Sequence, residues 1–186
     1  MINEKGIINQ DTIVLGAGCF WCVEAIFQNI YGVISVLPGY SNGKVTNPTY
    51  REVCSGSTGH AEVAQIIYDY NIISLKDILN IFFQTHDPTT LNRQGADSGT
   101  QYRSGVFYSN EEQKKIAEIA KIESQKLFVD KIVTEIILLD NFYPAEDYHV
   151  NYFKNNQEQQ YCKIVINPKI DKFKKLFKDK LKHQSN

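Results

Sequence analysis

The chain has 186 residues, 42% of them hydrophobic, and its 20 basic and 21 acidic residues leave a formal net charge of −1. This near balance of charge argues against a nucleic acid or an anionic membrane surface as a partner. No segment reaches the apolar length of a membrane span. We expect one catalytic domain over residues 1–186, with a core at about residues 12–178 and short polar ends.

The cysteines indicate the compartment and restrict the chemistry. No secretory apolar core occurs near the N-terminus, so we expect a cytoplasmic protein whose four cysteines are reduced at rest. Cys19 and Cys22 form a C-x-x-C pair that could supply half of a zinc site, but Cys54 and Cys162 are isolated and no histidine pair has ligand spacing. The sequence therefore predicts no metal and no cofactor.

The first elements are a strand, a glycine turn and a helix. Residues 13–15 form a short apolar run, Gly16 and Gly18 follow it, and helical composition begins near Cys19. A cysteine in the first turn of a helix meets free N–H groups and the positive end of the helix dipole, which favour a thiolate. Cys19 is thus a candidate nucleophile, and a buried structural cysteine is the alternative.

Phe20 and Trp21 follow Cys19 directly. Large apolar side chains at such a turn can hardly all be buried. We expect Phe20 and Trp21 to form an apolar wall beside the sulfur, and simple core filling is the alternative.

Strands and helices then alternate. The patterns predict a strand at residues 33–40, and a short helix that starts at Pro48 with Asn47 as its cap. A second strand at residues 61–70 alternates and is rich in Ile, Val and Tyr. Residues 74–77 provide a capping box for the next helix.

The C-terminal half continues this alternation. Residues 89–100 are predicted to be a loop, followed by a strand at residues 106–108 and a helix capped by Ser109. Its apolar stripe would comprise Ile116, Ile119, Ala120 and Leu127. Another strand is expected at residues 132–139.

The last segment is predicted to contain a loop, a strand and a helix. The loop carries Tyr143 and His149, the strand covers residues 163–166, and Asn167-Pro168 opens the helix. We expect the lysines of this helix to face solvent rather than to form an anion site. Strands interleaved with helices indicate one α/β or α+β domain.

Four motifs give the chain a resemblance to peptide methionine sulfoxide reductase of type A. They are G-C-F-W at residues 18–21, N-P-T-Y-R-E-V-C-S-G at 47–56, G-H-A-E at 59–62 and G-T-Q-Y-R-S at 99–104. The resemblance covers nearly the whole chain. It implies an α+β two-layer sandwich, with a mixed central sheet flanked by helices. It also implies reduction of the S epimer of methionine sulfoxide, in peptides and free, with thioredoxin as the reductant.

The resemblance also implies roles for individual residues. Cys19 would attack the sulfoxide sulfur, and Glu62 would protonate the departing oxygen if burial raises the pKa of its carboxyl. Tyr50 and Tyr102 would hold that oxygen, and Asp97 would belong to the polar side of the pocket. Without the resemblance, a solvated strand residue would be the more common interpretation of Glu62, and a core residue that of each tyrosine.

The sequence does not decide which second cysteine takes part in the reaction. Attack leaves Cys19 as a sulfenic acid, which a second cysteine must resolve. Cys162 matches the family's Tyr-Cys resolving position and is our first choice. Cys22 stands where the family usually has glycine, and is the direct alternative or a relay partner, although a regular helix holds β-carbons three residues apart too far apart for a disulfide. We take Cys54 as structural.

Two other functions fit parts of the sequence. The Cys19 and Cys22 pair is compatible with a thioredoxin-like thiol-disulfide exchange protein, although Phe and Trp between the cysteines argue against it. An exposed aromatic patch is compatible with a non-enzymatic interaction module, which would have no use for Glu62.

Overall fold

The computed structural model describes residues 9–182, so the outermost parts of the predicted polar ends, residues 1–8 and 183–186, lie outside the described residues. The strands are β1 (Gln10–Ala17), β2 (Val33–Ser41), β3 (Ala61–Asp69), β4 (Arg93–Gln94), β5 (Asp97–Ser98), β6 (Ser104–Tyr108), β7 (Glu135–Leu138) and β8 (Phe142–Pro144). The helices are α1 (Phe20–Phe27), α2 (Tyr50–Cys54), α3 (Leu75–Thr85), α4 (Glu111–Gln125), α5 (Tyr152–Asn155) and α6 (Asn167–Leu176).

Six of the strands form one mixed sheet in the order β7-β6-β1-β3-β2-β8. Neighbouring strands are antiparallel except β6 and β7, which run parallel. The strands β4 and β5 form a separate hairpin within the predicted loop. β1 lies at the centre of the sheet, so the turn after it, which carries Cys19, is anchored on both sides by neighbouring strands.

The two faces of the sheet are covered differently. Ile13 and Leu15 of β1 pack into the large apolar cluster with residues of α1, α3, α4 and α6, whereas Val14 packs into a small cluster on the other face with Val63 and Phe107. This alternation follows from the two-residue repeat of a strand. Each fully buried side chain of this size contributes about 1.5–3 kcal/mol relative to exposure. The predicted α+β arrangement, with a mixed sheet flanked by helices, is confirmed.

The caps of two helices differ from the prediction. Thr49, not Asn47, caps α2, and it forms a reciprocal capping box with Glu52. The T-x-x-E pattern was a stronger start signal than proline after asparagine. The cap of α4 is Asn110 rather than Ser109, because the Asn110 side chain accepts from the backbone N–H of Gln113.

The prediction of a strand at residues 163–166 is wrong. Residues Cys162–Ile166 are π-helical and continue directly into α6. Cys162 and Ile166 are buried while Ile164 is 63% exposed. This spacing of four residues is helical, and it shows why an apolar I-V-I run alone cannot distinguish strand from helix.

Smaller differences concern α4 and the strand after it. In the predicted stripe, Ala120 is buried and Ile116 packs against the core, whereas Ile119 and Leu127 are exposed. The other residues that α4 buries are small or polar, namely Gln113, Ala117 and Ser124. Of the predicted strand at residues 132–139, only β7 (Glu135–Leu138) is a strand in the structure. Within residues 9–182, none of the helices has the length and apolarity that crossing a bilayer requires.

Candidate active site

Cys19 lies at the N-terminus of α1, at the end of the turn after β1. It is the cap residue, with an extended ψ of 124°, rather than a residue of the first helical turn. The preceding Gly18 has φ of +81°, and a Cβ there would lie 2.6 Å from the Cβ of Gln94. Both the backbone angle and the close approach therefore require glycine at this position. The tight turn places the sulfur of Cys19 at the end of the central strand.

Glu62 approaches Cys19 from β3. Its Oε2 accepts the backbone N–H of Phe20 at 3.2 Å, while its buried Oε1 has no hydrogen-bond partner among residues 9–182. Burial raises the pKa of the Glu62 carboxyl to about 8, so the group carries a proton near neutral pH. The structure thus places a neutral acid beside the residue that follows Cys19.

The two thiols of the C-x-x-C pair shift each other's pKa in opposite directions. Burial raises the pKa of Cys19 well above its ordinary value, and the neighbouring Cys22 raises it further. Interaction with the Cys19 thiol is the largest effect on Cys22, and it lowers the pKa of Cys22 to about 7. Burial thus opposes the Cys19 thiolate that the helix start was expected to favour, and Cys22 is the more acidic thiol of the pair.

Aromatic rings cover the apolar side of Cys19. Phe20 is fully buried, whereas Trp21 is half-buried and stacks on Tyr152 with ring centroids 3.6 Å apart and planes 6° apart. The Trp21 indole N–H donates to Nδ1 of His149 at 3.0 Å. Phe20 therefore supports the site from the core side, and Trp21 is the ring that a substrate could reach.

Three phenol groups and one carboxylate form the polar side. Burial and the charge of Glu62 raise the pKa of Tyr50 and of Tyr102, so both hydroxyls remain protonated donors. The Tyr161 hydroxyl donates to Oδ2 of Asp97 at 2.6 Å. The same hydroxyl lowers the pKa of both Cys19 and Cys22. The structure thus brings together Tyr50, Tyr102 and Asp97, which the sequence predicted, and adds Tyr161.

Cys162 lies deeper. It is buried at the start of the helical segment that leads into α6, and its pKa is raised by burial and by the nearby Cys22. Cys19, Cys22 and Cys162 belong to the same apolar cluster and are all unpaired thiols. Cys54 lies apart from them and is exposed at the end of α2.

Two of the histidines have structural contacts elsewhere. His60 bonds to the backbone of Gly43 and Val45, and His86 bonds to the carbonyl of Phe82 and the hydroxyl of Ser104. No group of three or more His, Cys, Asp or Glu side chains suited to a metal ion occurs within residues 9–182.

Several residues that position the site gave little signal in the sequence. Glu24 is a buried carboxyl in α1 that accepts the backbone N–H of Asn151 at 2.8 Å. This contact fixes the loop that carries His149 and Tyr152. A carboxylate inside the otherwise apolar run of α1 was the available signal, since such a group is rarely buried without a partner. Tyr152 and Tyr161 gave no signal beyond their aromatic type.

The chain is similar to known proteins over almost its whole length. A family model described as peptide methionine sulfoxide reductase matches residues 11–181. The peptide methionine sulfoxide reductase MsrA of Saccharolobus solfataricus is 56% identical over 173 residues, which is 93% of this chain and 98% of the relative. MsrA of Leptospira borgpetersenii is 56% identical over 166 residues, covering 89% and 94%.

Solved structures give the same result. The reduced form of Mxr1 from Saccharomyces cerevisiae has a TM-score of 0.78 and 36% identity, covering 84% of this chain and 91% of the other. Mxr1 in complex with Trx2 has a TM-score of 0.56 and 28% identity, covering 78% and 87%.

Proposed function

Because the chain belongs to the peptide methionine sulfoxide reductase family, we propose that the cluster around Cys19 reduces methionine sulfoxide, in peptides and free, to methionine. The S epimer is the expected substrate, as in reductases of type A. The observation that carries the proposal is the Glu62 carboxyl, which is held neutral with one oxygen free of protein partners. Sulfoxide reduction consumes a proton at the departing oxygen, and a neutral carboxyl can supply it.

The first step transfers the sulfoxide oxygen. The Cys19 sulfur attacks the sulfoxide sulfur while Glu62 protonates the oxygen, and the S–O bond to the substrate breaks. Methionine leaves with its sulfur reduced by two electrons, and Cys19 becomes a sulfenic acid. In this proposal Tyr50 and Tyr102 donate hydrogen bonds to the oxygen, and Trp21 contacts the methyl group. Asp97 and Tyr161 complete the polar wall.

Cys19 must lose its proton for this attack. Once ionised, the attacking sulfur is more basic than an ordinary cysteine, because burial and the neighbouring Cys22 raise the pKa of Cys19. The raised pKa of Cys19 then favours a strong nucleophile, since nucleophilicity increases with thiol pKa.

We propose that Cys22 resolves the sulfenic acid first and that Cys162 follows as a relay partner. Cys19 is a cap residue with extended backbone, so the fixed spacing of a regular helix does not hold its side chain away from Cys22. The Cys22 sulfur displaces the hydroxyl of Cys19 as water, and Cys162 can then attack the Cys22 sulfur and release Cys19. This order exchanges the two candidates relative to the sequence-based preference.

Thioredoxin is the reductant of the final disulfide in this proposal. The complex of the related Mxr1 with Trx2 supports it. We assign the reaction to the cytoplasm, because its cycle starts from free thiols and needs a dithiol reductant.

A stereospecific assay tests the proposed function. Peptides carrying only the S or only the R sulfoxide are incubated with the protein, thioredoxin, its reductase and NADPH, and methionine is quantified. We expect turnover of the S peptide alone. Reduction of insulin disulfides without sulfoxide turnover would instead establish thiol-disulfide exchange. If both activities were absent, the protein would be a binding module without enzymatic activity.

The order of the resolving thiols needs a separate experiment. The reduced enzyme receives one equivalent of sulfoxide without reductant, and disulfides are mapped over time by non-reducing peptide analysis. We expect a bridge from Cys19 to Cys22 to form first, also in Cys162→Ser. A bridge from Cys19 to Cys162 that forms at full rate in Cys22→Ser would reverse the order.

A further inference from the structure

The Cys22 sulfur lies in a narrow apolar space between α1, α3 and α6. It is 2% exposed, and most of its surroundings are hydrocarbon, including side chains of Val23, Ile26 and Phe82. A thiolate in such a place is strongly disfavoured unless a cation or hydrogen-bond donors compensate it.

A lysine from α6 enters this space. The Nζ of the half-buried Lys169 lies 3.7 Å from the Sγ of Cys22. Lys169 takes part in none of the ion pairs with carboxylates found among residues 9–182. The ammonium group therefore has a buried sulfur as its contact.

The other groups that face Cys22 do not supply a positive charge. Cys19 and Tyr161 carry a thiol and a phenol, Asp97, Glu62 and Cys162 are acids, and His86 is neutral because burial lowers its pKa to about 4. Interaction with Cys19 and then the charge of Lys169 lower the pKa of Cys22, against the effect of burial, to about 7.

We propose that Lys169 is a positioning residue for the recycling step, which holds Cys22 as the thiolate that attacks the Cys19 sulfenic acid. The role rests on the proposed function and deepens it. In this step the new S–S bond forms as the S–O bond of Cys19 breaks, and the hydroxyl takes a proton and leaves as water. Cys22 supplies the electron pair, and the charge of Lys169 keeps that pair available.

The distinguishing feature of this role is its effect on one step only. Transfer of oxygen from the substrate to Cys19 depends on Glu62 and on the Cys19 sulfur, which Lys169 does not contact. Disulfide formation depends on the ionised fraction of Cys22. Loss of an opposite charge at this distance raises a pKa by about 1 unit or more, so near neutral pH the thiolate fraction falls by about fivefold or more.

The experiment compares three variants of α6 in a Cys54→Ser background, which removes the exposed thiol. Lys169→Met keeps the length and removes the charge, Lys169→Arg keeps the charge, and Lys174→Met is the matched control at an exposed position of the same helix. Thiolate absorbance in the ultraviolet is titrated against pH. Single-turnover quenching then measures methionine release and disulfide formation separately.

We expect Lys169→Met to raise the lowest thiol pKa and to slow disulfide formation about fivefold or more near neutral pH, with an unchanged rate of methionine release. Lys169→Arg should restore both values, and Lys174→Met should match the parent. An unchanged titration and disulfide rate in Lys169→Met would overturn the role, and so would a loss that Lys169→Arg fails to restore. Absence of methionine release in the parent itself would refute the proposed function instead.

Discussion

Replacing Glu62 with glutamine removes the proposed proton donor and little else. Burial raises the pKa of this carboxyl to about 8, so about nine-tenths of the molecules carry the proton near neutral pH. A glutamine amide oxygen can still accept the Phe20 N–H, which lies 3.2 Å from the carboxyl in the wild type. The side chain is of similar size, so the buried space remains filled.

The expected loss follows from the value of a positioned acid. General acid catalysis typically contributes about 10²–10⁴-fold. We expect single-turnover methionine release in Glu62→Gln to fall by at least about 10²-fold. Because the acid acts in its protonated form, the wild-type rate should also decline as the pH rises through the Glu62 pKa of about 8. The variant should lack this decline.

The stability of the variant is the control. The folded-state pKa of Glu62 lies above its reference value of 4.5, so the folded protein binds this proton more tightly than the unfolded chain. The associated stability is fully present below 4.5 and is lost as the pH rises through about 8. Glutamine is never ionised, so above this range the variant should melt at the wild-type temperature or higher.

A rapid-quench assay with a stoichiometric S-sulfoxide peptide measures the effect, and calorimetry across the pH range measures the control. A variant rate within a few-fold of the wild type would show that Glu62 is not the acid. A slow variant that also melts lower at every pH would show a structural role instead.

Three further variants test other parts of the site. Cys19→Ser should abolish methionine release, measured by the same quench assay, because a serine hydroxyl is hardly ionised near neutral pH, and retention of a tenth of the rate would contradict this. Trp21→Ala should raise KM by about tenfold with a smaller effect on the melting temperature. The stacking of this half-buried ring on Tyr152 contributes about 0.5–1.5 kcal/mol beyond its buried area. A large drop in melting temperature at constant KM would indicate that the ring only fills the core. Glu24→Ala should lower the melting temperature and raise KM, since it frees the Asn151 loop, and equal KM in both proteins would separate Glu24 from the site.

Much of the fold follows from local patterns. The strand, glycine turn and helix around Cys19 were predicted because the apolar run, Gly18 and the helical composition agree at every step. The prediction failed at residues 163–166, where the sequence offers a short apolar run that either period can accommodate. The burial of residues 162 and 166 favours the helix, and burial depends on tertiary packing that the local sequence does not show.

The residues of the site could be predicted from the sequence, but their ionisation could not. The resemblance pointed to Cys19, Glu62, Tyr50, Tyr102 and Asp97, and the structure brings these residues into one region. The ionisation of the cysteines could not be predicted in the same way. A helix start favours a thiolate at Cys19, but the effect of the dipole is about 0.3–1 kcal/mol at exposed positions. The burial of Cys19 and the neighbouring Cys22, which both raise its pKa, outweigh the dipole.

Lys169 illustrates why such charge placement needs the tertiary structure. The lysines of α6 were expected to face solvent, and Lys172, Lys174 and Lys175 do. Lys169 lies one turn before Phe173, on the side of α6 that packs against α1, and its contact with Cys22 joins residues 147 apart in sequence. A lysine side chain can bury its four-carbon stem while its charged end reaches a distant group, so helical periodicity does not predict the position of the ammonium group. The cysteine that replaces the glycine usual at position 22 thus meets a cation that only the packing of α6 on α1 brings within reach.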